Sequence, residues 1–344
     1  MSDVSLGVLI ALAAGLVNGS FAAPTKYTTR WKWENIWAVW AVVALFITPW
    51  LLAFLTIPDL LGFYRNTSAG FILMLAAFGF GVGLAQVFFG LALAAVGLSI
   101  GFAVTIGLST ALGSLVPLVL LHPAEVRTPQ GATVIAGVAL ILIGTGCCGL
   151  ASSRKSRDAG LGTPAAAGPR SGQRFSAGLL LCILAGALSP LMNIALALGS
   201  PIMSRAAELG VGPANRANVI WPPLLTATMV PYLTYCCYLW RKNRSLRLFV
   251  LPGSGRYWLF GALMGLLWTG SVALYGAAST RMAAMGPVLG WPLFMSAIII
   301  SSNIWGFATG EWKGARTKAI ALMLVGIGFL IMGFVTVALG ARLG

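Results

Sequence analysis

Ten stretches of about twenty residues or more carry no charged side chain, and this punctuation constrains the chain more than any other feature. A helix needs roughly 20 mostly apolar residues to cross about 30 Å of hydrocarbon. The stretches run over 5–24, 36–57, 70–95, 98–121, 131–151, 175–199, 217–240, 257–280, 284–310 and 319–341. All 22 basic residues, all seven acidic residues and His122 fall between them. That placement is expected when a charge at mid-membrane costs about 3 kcal/mol. The third and fourth stretches are separated only around Gly97. The balance of 58% apolar to 8% charged residues excludes both an ordinary soluble domain, which would expose a continuous apolar skin, and a disordered chain. The runs do not alternate over about ten residues as the strands of a membrane barrel do. The expected fold class is an all-α membrane protein with ten transmembrane helices.

The connections after segments 1, 3, 5, 7 and 9 hold 16 Lys and Arg, against six elsewhere (Arg65, Arg127, Arg205, Arg216, Arg281 and Arg342). The positive-inside rule therefore places the odd connections in the cytoplasm and both termini outside. The net charge of +15 is read as a topology signal rather than a nucleic-acid signal, since no basic run interleaved with aromatics lies in a region able to fold alone. The first run is not expected to be a cleaved signal, because Asp3 precedes it and no Lys or Arg does. Cys147, Cys148, Cys182, Cys236 and Cys237 all lie in apolar runs without metal or redox spacing, so packing is their expected role.

Residues 152–174 are rich in Ser, Gly, Pro and Arg and read as a polar cytoplasmic linker. The linker divides the chain into a first five-helix half, 1–151, and a second, 175–344. Ala94-Ala95-Val96-Gly97-Leu98-Ser99-Ile100-Gly101-Phe102 aligns with Ala283-Ala284-Met285-Gly286-Pro287-Val288-Leu289-Gly290-Trp291. Phe89-Gly90 answers Tyr275-Gly276, and Glu125-Val126-Arg127 answers Glu311-Trp312-Lys313. An odd number of spans per half makes the repeat inverted, the architecture in which halves enclose a midplane site and rock about it. Prolines 190, 222, 223, 231, 287 and 292 free carbonyls inside segments 6, 7 and 9, which marks those helices as expected cavity walls.

Uncharged polar residues at membrane depth need a partner or a ligand. Asn18, Gln86, Asn193 and Asn303 stand out, with Ser99, Thr105, Ser189 and Thr269 as weaker company. Amides offer the paired donors and acceptors that sugar hydroxyls require, and Trp221, Trp268, Trp291, Trp305 and Tyr275 offer flat faces for pyranose C–H groups. Asn18 and Asn193 fit a structural role as interhelical bonds equally well. Trp37, Trp40, Trp50, Trp240, Trp258 and Trp312 lie near segment ends and are expected to be interfacial belt residues. A small neutral polyol is the best chemical match, with no cofactor and no metal.

Several motifs resemble the L-rhamnose-proton symporter family, within the drug/metabolite transporter superfamily of ten-helix proteins with duplicated five-helix halves. They are Trp31-Lys32-Trp33-Glu34-Asn35-Ile36-Trp37, the glycine-punctuated stretch 90–113, Met192-Asn193 with the Ala-rich run to Leu209-Gly210-Val211, and 306–314 with Gly310-Glu311-Trp312-Lys313. The resemblance covers nearly the whole chain. It implies proton-driven uptake of L-rhamnose across a bacterial inner membrane. Proton symport needs a group that changes protonation between the two faces. Segment 9 opens Gly286-Pro287-Val288-Leu289-Gly290-Trp291 without the acidic residue relatives can carry there, and no carboxylate or histidine lies inside any segment. Glu34, His122 and Glu311 are the boundary candidates, with Glu125 behind them. Glu34 and Glu311 stand beside Lys32 and Lys313, and ion pairing there is the simpler expectation; a solvated helix cap is the simpler one for His122.

An uncoupled facilitator and an exporter of another small neutral metabolite remain alternatives. A channel or an intramembrane enzyme is disfavoured. One histidine and no intramembrane carboxylate supply neither a nucleophile with its base nor a ligand cluster. No phosphate-binding loop of the G-x-x-x-x-G-K-[ST] type occurs, so ATP is not the expected energy source.

Overall fold

Lipid offers no partner to a backbone N–H or C=O, so apolar runs of this length must bond within themselves as helices. The computed structural model describes residues 2–158 and 171–343, and among them there is no β-strand. The first half comprises α1 (Asp3–Ser20), α2 (Trp33–Val42), α3 (Thr48–Thr56), the short α4 (Leu60–Arg65), α5 (Ala69–Val96), α6 (Leu98–Leu121) and α7 (Pro129–Asp158). The second comprises α8 (Ser171–Leu188), α9 (Leu191–Leu198), α10 (Ser200–Glu208), α11 (Trp221–Asn243), α12 (Gly255–Arg281), α13 (Gly286–Ala308) and α14 (Thr317–Gly340).

Each interruption has a local cause. A single π turn, Val43–Ile47, joins α2 to α3 just ahead of Pro49, which has no N–H for the ladder. Gly97, at φ +82, separates α5 from α6 as the sequence expects, in a conformation that a Cβ would oppose. Pro190 caps α9 and sets it off from α8. Nine helices among the described residues are long and apolar enough to cross a membrane. The expected seventh segment forms α11, 23 residues long, whose prolines, threonines and tyrosines hold its apolar character below that of the nine.

Two expected boundaries move. α7 runs past 151 to Asp158, so 152–158 are helical, and 171–174 already belong to α8. The remainder of the expected linker, 159–170, lies outside the described residues, as does the side chain of Ser99. The sixth apolar run does not end at 199 in a loop but continues as α10. Arg205 of α10 donates to the Phe63 and Asn66 carbonyls and, at 2.8 Å, to Thr67 Oγ1.

α1 lies against α12 and α13, and α8 lies against α5 and α6. α5 packs on α11, α2 on α12 and α11, α6 on α13, and α7 on α14. Bonds between connections define two ends of the bundle. At the basic end, Arg30 donates to Pro252 O at 3.0 Å, Trp31 Nε1 to Leu248 O at 2.8 Å, Lys32 to Asn243 O at 3.1 Å, and Lys26 pairs with Glu311. At the opposite end, Tyr64 donates to Val219 O at 2.9 Å, Asn218 to Thr56 Oγ1 at 3.0 Å, and Thr280 to Pro213 O. Large apolar side chains such as Leu55, Leu73 and Leu120 point outward, as lipid contact requires.

Candidate transport site

Proline chemistry builds the most tightly bonded point of the interior. Pro117, inside α6, has no N–H for the carbonyl of Gly113 one turn earlier. That carbonyl is taken up by Asn193, in the first turn of α9. Asn193 Nδ2 donates to Gly113 O at 2.7 Å and to Pro287 O of α13 at 3.0 Å, while the Tyr275 hydroxyl of α12 donates to Asn193 Oδ1. One fully buried amide therefore ties four helices. Next to it, Pro292 leaves the Val288 carbonyl free, and Ser114 Oγ donates to that carbonyl at 2.7 Å. Trp291 lies over Gly113 and donates from Nε1 to Ser109 O at 3.0 Å. The Tyr275 ring stacks on Phe294 at 4.8 Å and meets Trp291 edge-on at 5.7 Å. Trp221 packs on Gly276 beside them, fully buried, its indole N–H without an acceptor among the described residues. Asn193, Tyr275, Trp291 and Trp221 are thus brought together, and in this conformer they fill the space between α6, α9, α12 and α13 rather than line a cavity.

A second group sits toward the basic end. Asn18 donates to Ser271 Oγ at 2.7 Å, and Ser271 Oγ donates to Trp268 O at 2.6 Å, which places Asn18 beside half-buried Trp268. Trp268 meets Trp40 edge-on at 5.4 Å. Trp40 continues to Trp37 at 5.2 Å, Tyr232 at 5.5 Å and Phe21 at 6.0 Å, and Trp37 stacks on Trp33 at 5.8 Å. This aromatic wall corrects the sequence expectation for Trp40, which is buried, while Trp37 is half-buried in it. Their spacing carries the signal: residues 33, 37 and 40 fall on one face of α2. Trp312, also expected in the belt, is buried beside Phe307 with Lys155 over its ring at 4.8 Å.

Gln86 is half-buried and has no hydrogen-bond partner among the described residues. The lipid-facing stripe of α5 runs through Leu73, Phe80 and Leu91. At 3.6 residues per turn Gln86 lies roughly 120–140° from that stripe, on the face that also carries buried Leu75 and Val82. It therefore points into the bundle. One turn on, nothing lies within 4 Å of a Cβ built on Gly90, so the helix borders open space there.

Asn303 stands apart from these groups. Its Nδ2 donates to Ile299 O at 2.8 Å in its own helix, and it lines a cavity of about 270 Å³ between α6, α7 and α13 together with Thr145, Ser152, Ser156, Lys155 and Glu311. The three boundary candidates are dispersed. Glu311 is half-exposed and pairs with Lys26, not with the neighbouring Lys313. Glu34 is 2% exposed and makes no ion pair with Lys32. Its Oε1 accepts from Ser245 Oγ at 2.6 Å and Asn243 Nδ2 at 2.9 Å. His122 caps α6 at the opposite end, partly exposed. Among the described residues no cluster of three His, Cys, Asp or Glu side chains exists to hold a metal.

The interior amides, hydroxyls and indoles can exchange hydrogen bonds with a neutral polyol and stack its C–H face. Residues 1–342 match the family model described as L-rhamnose-proton symport protein (RhaT). The L-rhamnose-proton symporter of Cronobacter sakazakii is 28% identical over 98% of both chains. Those of Yersinia pestis and Salmonella newport are 26% identical over the same share. Matched almost end to end by the family model, the chain belongs to the L-rhamnose-proton symport protein family.

Proposed function

We propose that this protein imports L-rhamnose, or a closely similar sugar, together with protons across a bacterial inner membrane by alternating access. The observation that carries the reading is the uncharged amide and indole interior of a chain whose family match runs from residue 1 to 342. In this reading α11 is the seventh span and completes the set of ten, and 1–151 and 175–344 are inverted halves with both termini periplasmic.

Packing supports the inversion. Exchanging each span for the one five places later turns α1 against α12 and α13 into α8 against α5 and α6, and α5 against α11 into α12 against α2; both partners of each exchange occur. The α7–α14 seam repeats the pattern at atomic scale. A Cβ on Gly137 would meet Gly333 O at 2.9 Å, and one on Gly326 would meet Gly144 O at 2.9 Å. The pairs 137 to 326 and 144 to 333 are both 189 residues apart, the same offset as Gly97 to Gly286.

Half-buried Gln86, Trp268 and Trp37 form the sugar-facing surface in the conformer described, with buried Asn18 and Trp40 directly behind them. Asn193, Tyr275, Trp291 and Trp221 become available only when their knot opens, and Asn303 lines the approach from the basic end. Of the three boundary groups, Glu34 is the one we assign to proton exchange. Glu311 is held by Lys26, and His122 stands at the far end. Glu34 is buried among neutral donors from the α11–α12 connection, so relative movement of α2 and α11 changes what stabilises its charge. The lack of a carboxylate at mid-depth favours a second reading, an uncoupled facilitator.

Uptake of labelled L-rhamnose into proteoliposomes separates the two. With an inside-alkaline pH gradient the sugar accumulates above its external concentration, and without one it only equilibrates. Equilibration in both cases would end the symport reading.

A further inference from the structure

Tyr232 lies halfway along α11 with its ring held in the aromatic wall, 5.5 Å from Trp40 and 5.9 Å from Trp33. Packing accounts for the ring and leaves the hydroxyl unexplained. The residue is 4% exposed, yet its hydroxyl has no hydrogen-bond partner among the described residues. Unlike the equally unpartnered indole nitrogen of Trp40, that oxygen is not sealed from accessible space. A phenylalanine would pack as well here without a polar atom to satisfy.

The seam between α5 and α11 shows what stands near that hydroxyl. Glycines bring the two backbones together: a Cβ on Gly79 would meet Leu224 O, one on Gly83 would meet Thr228 O, and Thr228 Oγ1 donates to Gly79 O at 2.9 Å. From the first contact to the second both chains advance by four residues, so the helices run in the same direction, and the next turn sets Gln86 level with Pro231 and Tyr232. At 3.6 residues per turn Gln86 falls within roughly 20° of the stripe through Gly79 and Gly83, and Tyr232 follows Thr228 by one turn on α11. One turn beyond Gln86 the helices have parted, since a Cβ on Gly90 meets nothing within 4 Å. The Asn193 knot fills the bundle toward the end opposite the basic connections, so this space opens toward the basic end. An amide and a phenol, neither with a hydrogen bond among the described residues, thus stand at one depth on the two stripes that meet at the seam, where the seam opens.

We infer that the Tyr232 hydroxyl is a sugar-reading group, paired with the Gln86 amide across the seam to bind neighbouring hydroxyls of the pyranose while the aromatic wall takes its C–H face. This rests on the sugar-transporter reading. Each group offers both a donor and an acceptor, the complement of two adjacent hydroxyls. Bound sugar replaces water at two polar groups the protein leaves unsatisfied, and an analogue lacking one of those hydroxyls leaves its partner unpaired.

The test is isothermal titration calorimetry of the purified full-length protein in detergent with L-rhamnose and its analogues lacking the ring hydroxyl at carbon 2, 3 or 4. Tyr232→Phe is expected to raise Kd for L-rhamnose about three- to tenfold and to leave Tm within about 1 °C of the parent, because no bond within the protein is lost. One of the deoxy analogues binds the parent correspondingly more weakly than L-rhamnose does. In Tyr232→Phe that difference disappears, because the group that reads the missing hydroxyl is gone. Gln86→Leu is expected to erase the difference for an adjacent hydroxyl. Equal weakening of all four sugars in Tyr232→Phe would show a packing role and overturn the inference. An unchanged Kd for L-rhamnose would overturn it as well, and both results leave the sugar reading standing. A parent protein that binds none of the four removes the sugar reading and this assignment with it.

Discussion

Replacing Gly113 by Ala places a methyl group directly on the Trp291 indole, touching Nε1 and Cδ1 and reaching within 2.8 Å of Cε2. The indole cannot easily retreat. It is 1% exposed, its N–H is bonded to Ser109 O at 3.0 Å, and its ring meets Tyr275 and Phe294. Overpacking of this kind costs about 1–3 kcal/mol, and displacing the indole also weakens a buried hydrogen bond, adding about 1 kcal/mol. A net loss of about 2–4 kcal/mol corresponds to a fall of about 4–8 °C in Tm at roughly 2 °C per kcal/mol for large chains. Gly90→Ala is the matched control, since nothing lies within 4 Å of its added Cβ; the better helix former should leave Tm unchanged or raise it by about 1 °C. Thermal unfolding followed by tryptophan fluorescence in detergent reads both. If Gly113→Ala unfolds with the parent and Gly90→Ala, the close packing of α6 on α13 is not what holds this end shut.

Trp268→Ala and Gln86→Ala should each raise the KM for rhamnose uptake several-fold, with Tm little moved in Gln86→Ala, which has no hydrogen bond to lose, and lowered in Trp268→Ala, which gives up its packing on Trp40; unchanged uptake kinetics in both would remove them from the sugar path. Glu34→Ala should cost about 2–3 kcal/mol by stranding the Asn243 and Ser245 donors, whereas Glu34→Gln should keep most of the stability and lose accumulation against a pH gradient. A Lys26→Ala, Glu311→Ala double-mutant cycle should give a coupling below about 1 kcal/mol, because both side chains are more than a third exposed; a larger value would make the pair a structural lock.

The helical class and most span positions were legible because charge is excluded from lipid residue by residue, a rule that needs no tertiary knowledge. The break at Gly97 followed from local chemistry in the same way. Helix ends were less legible where polar residues remain helical beyond the hydrocarbon, as in α7 to Asp158 and in α10. Asn193 was visible as an isolated amide. Its partners were not, because the carbonyl freed by Pro117 belongs to a helix some eighty residues earlier. Trp40 was misplaced since nearness to a segment end says nothing about rotation; its spacing with Trp33 and Trp37 held that information. Glu311 found Lys26 across the bundle instead of its neighbour Lys313, as flexible surface charges do when a closer geometry exists.

Whether sugar and proton cross together is read from external pH when L-rhamnose is added to lightly buffered, de-energised cells that produce this protein. Co-entry predicts a prompt alkalinisation that a protonophore abolishes and that Glu34→Gln lacks. Entry of labelled rhamnose with no change in external pH would contradict it.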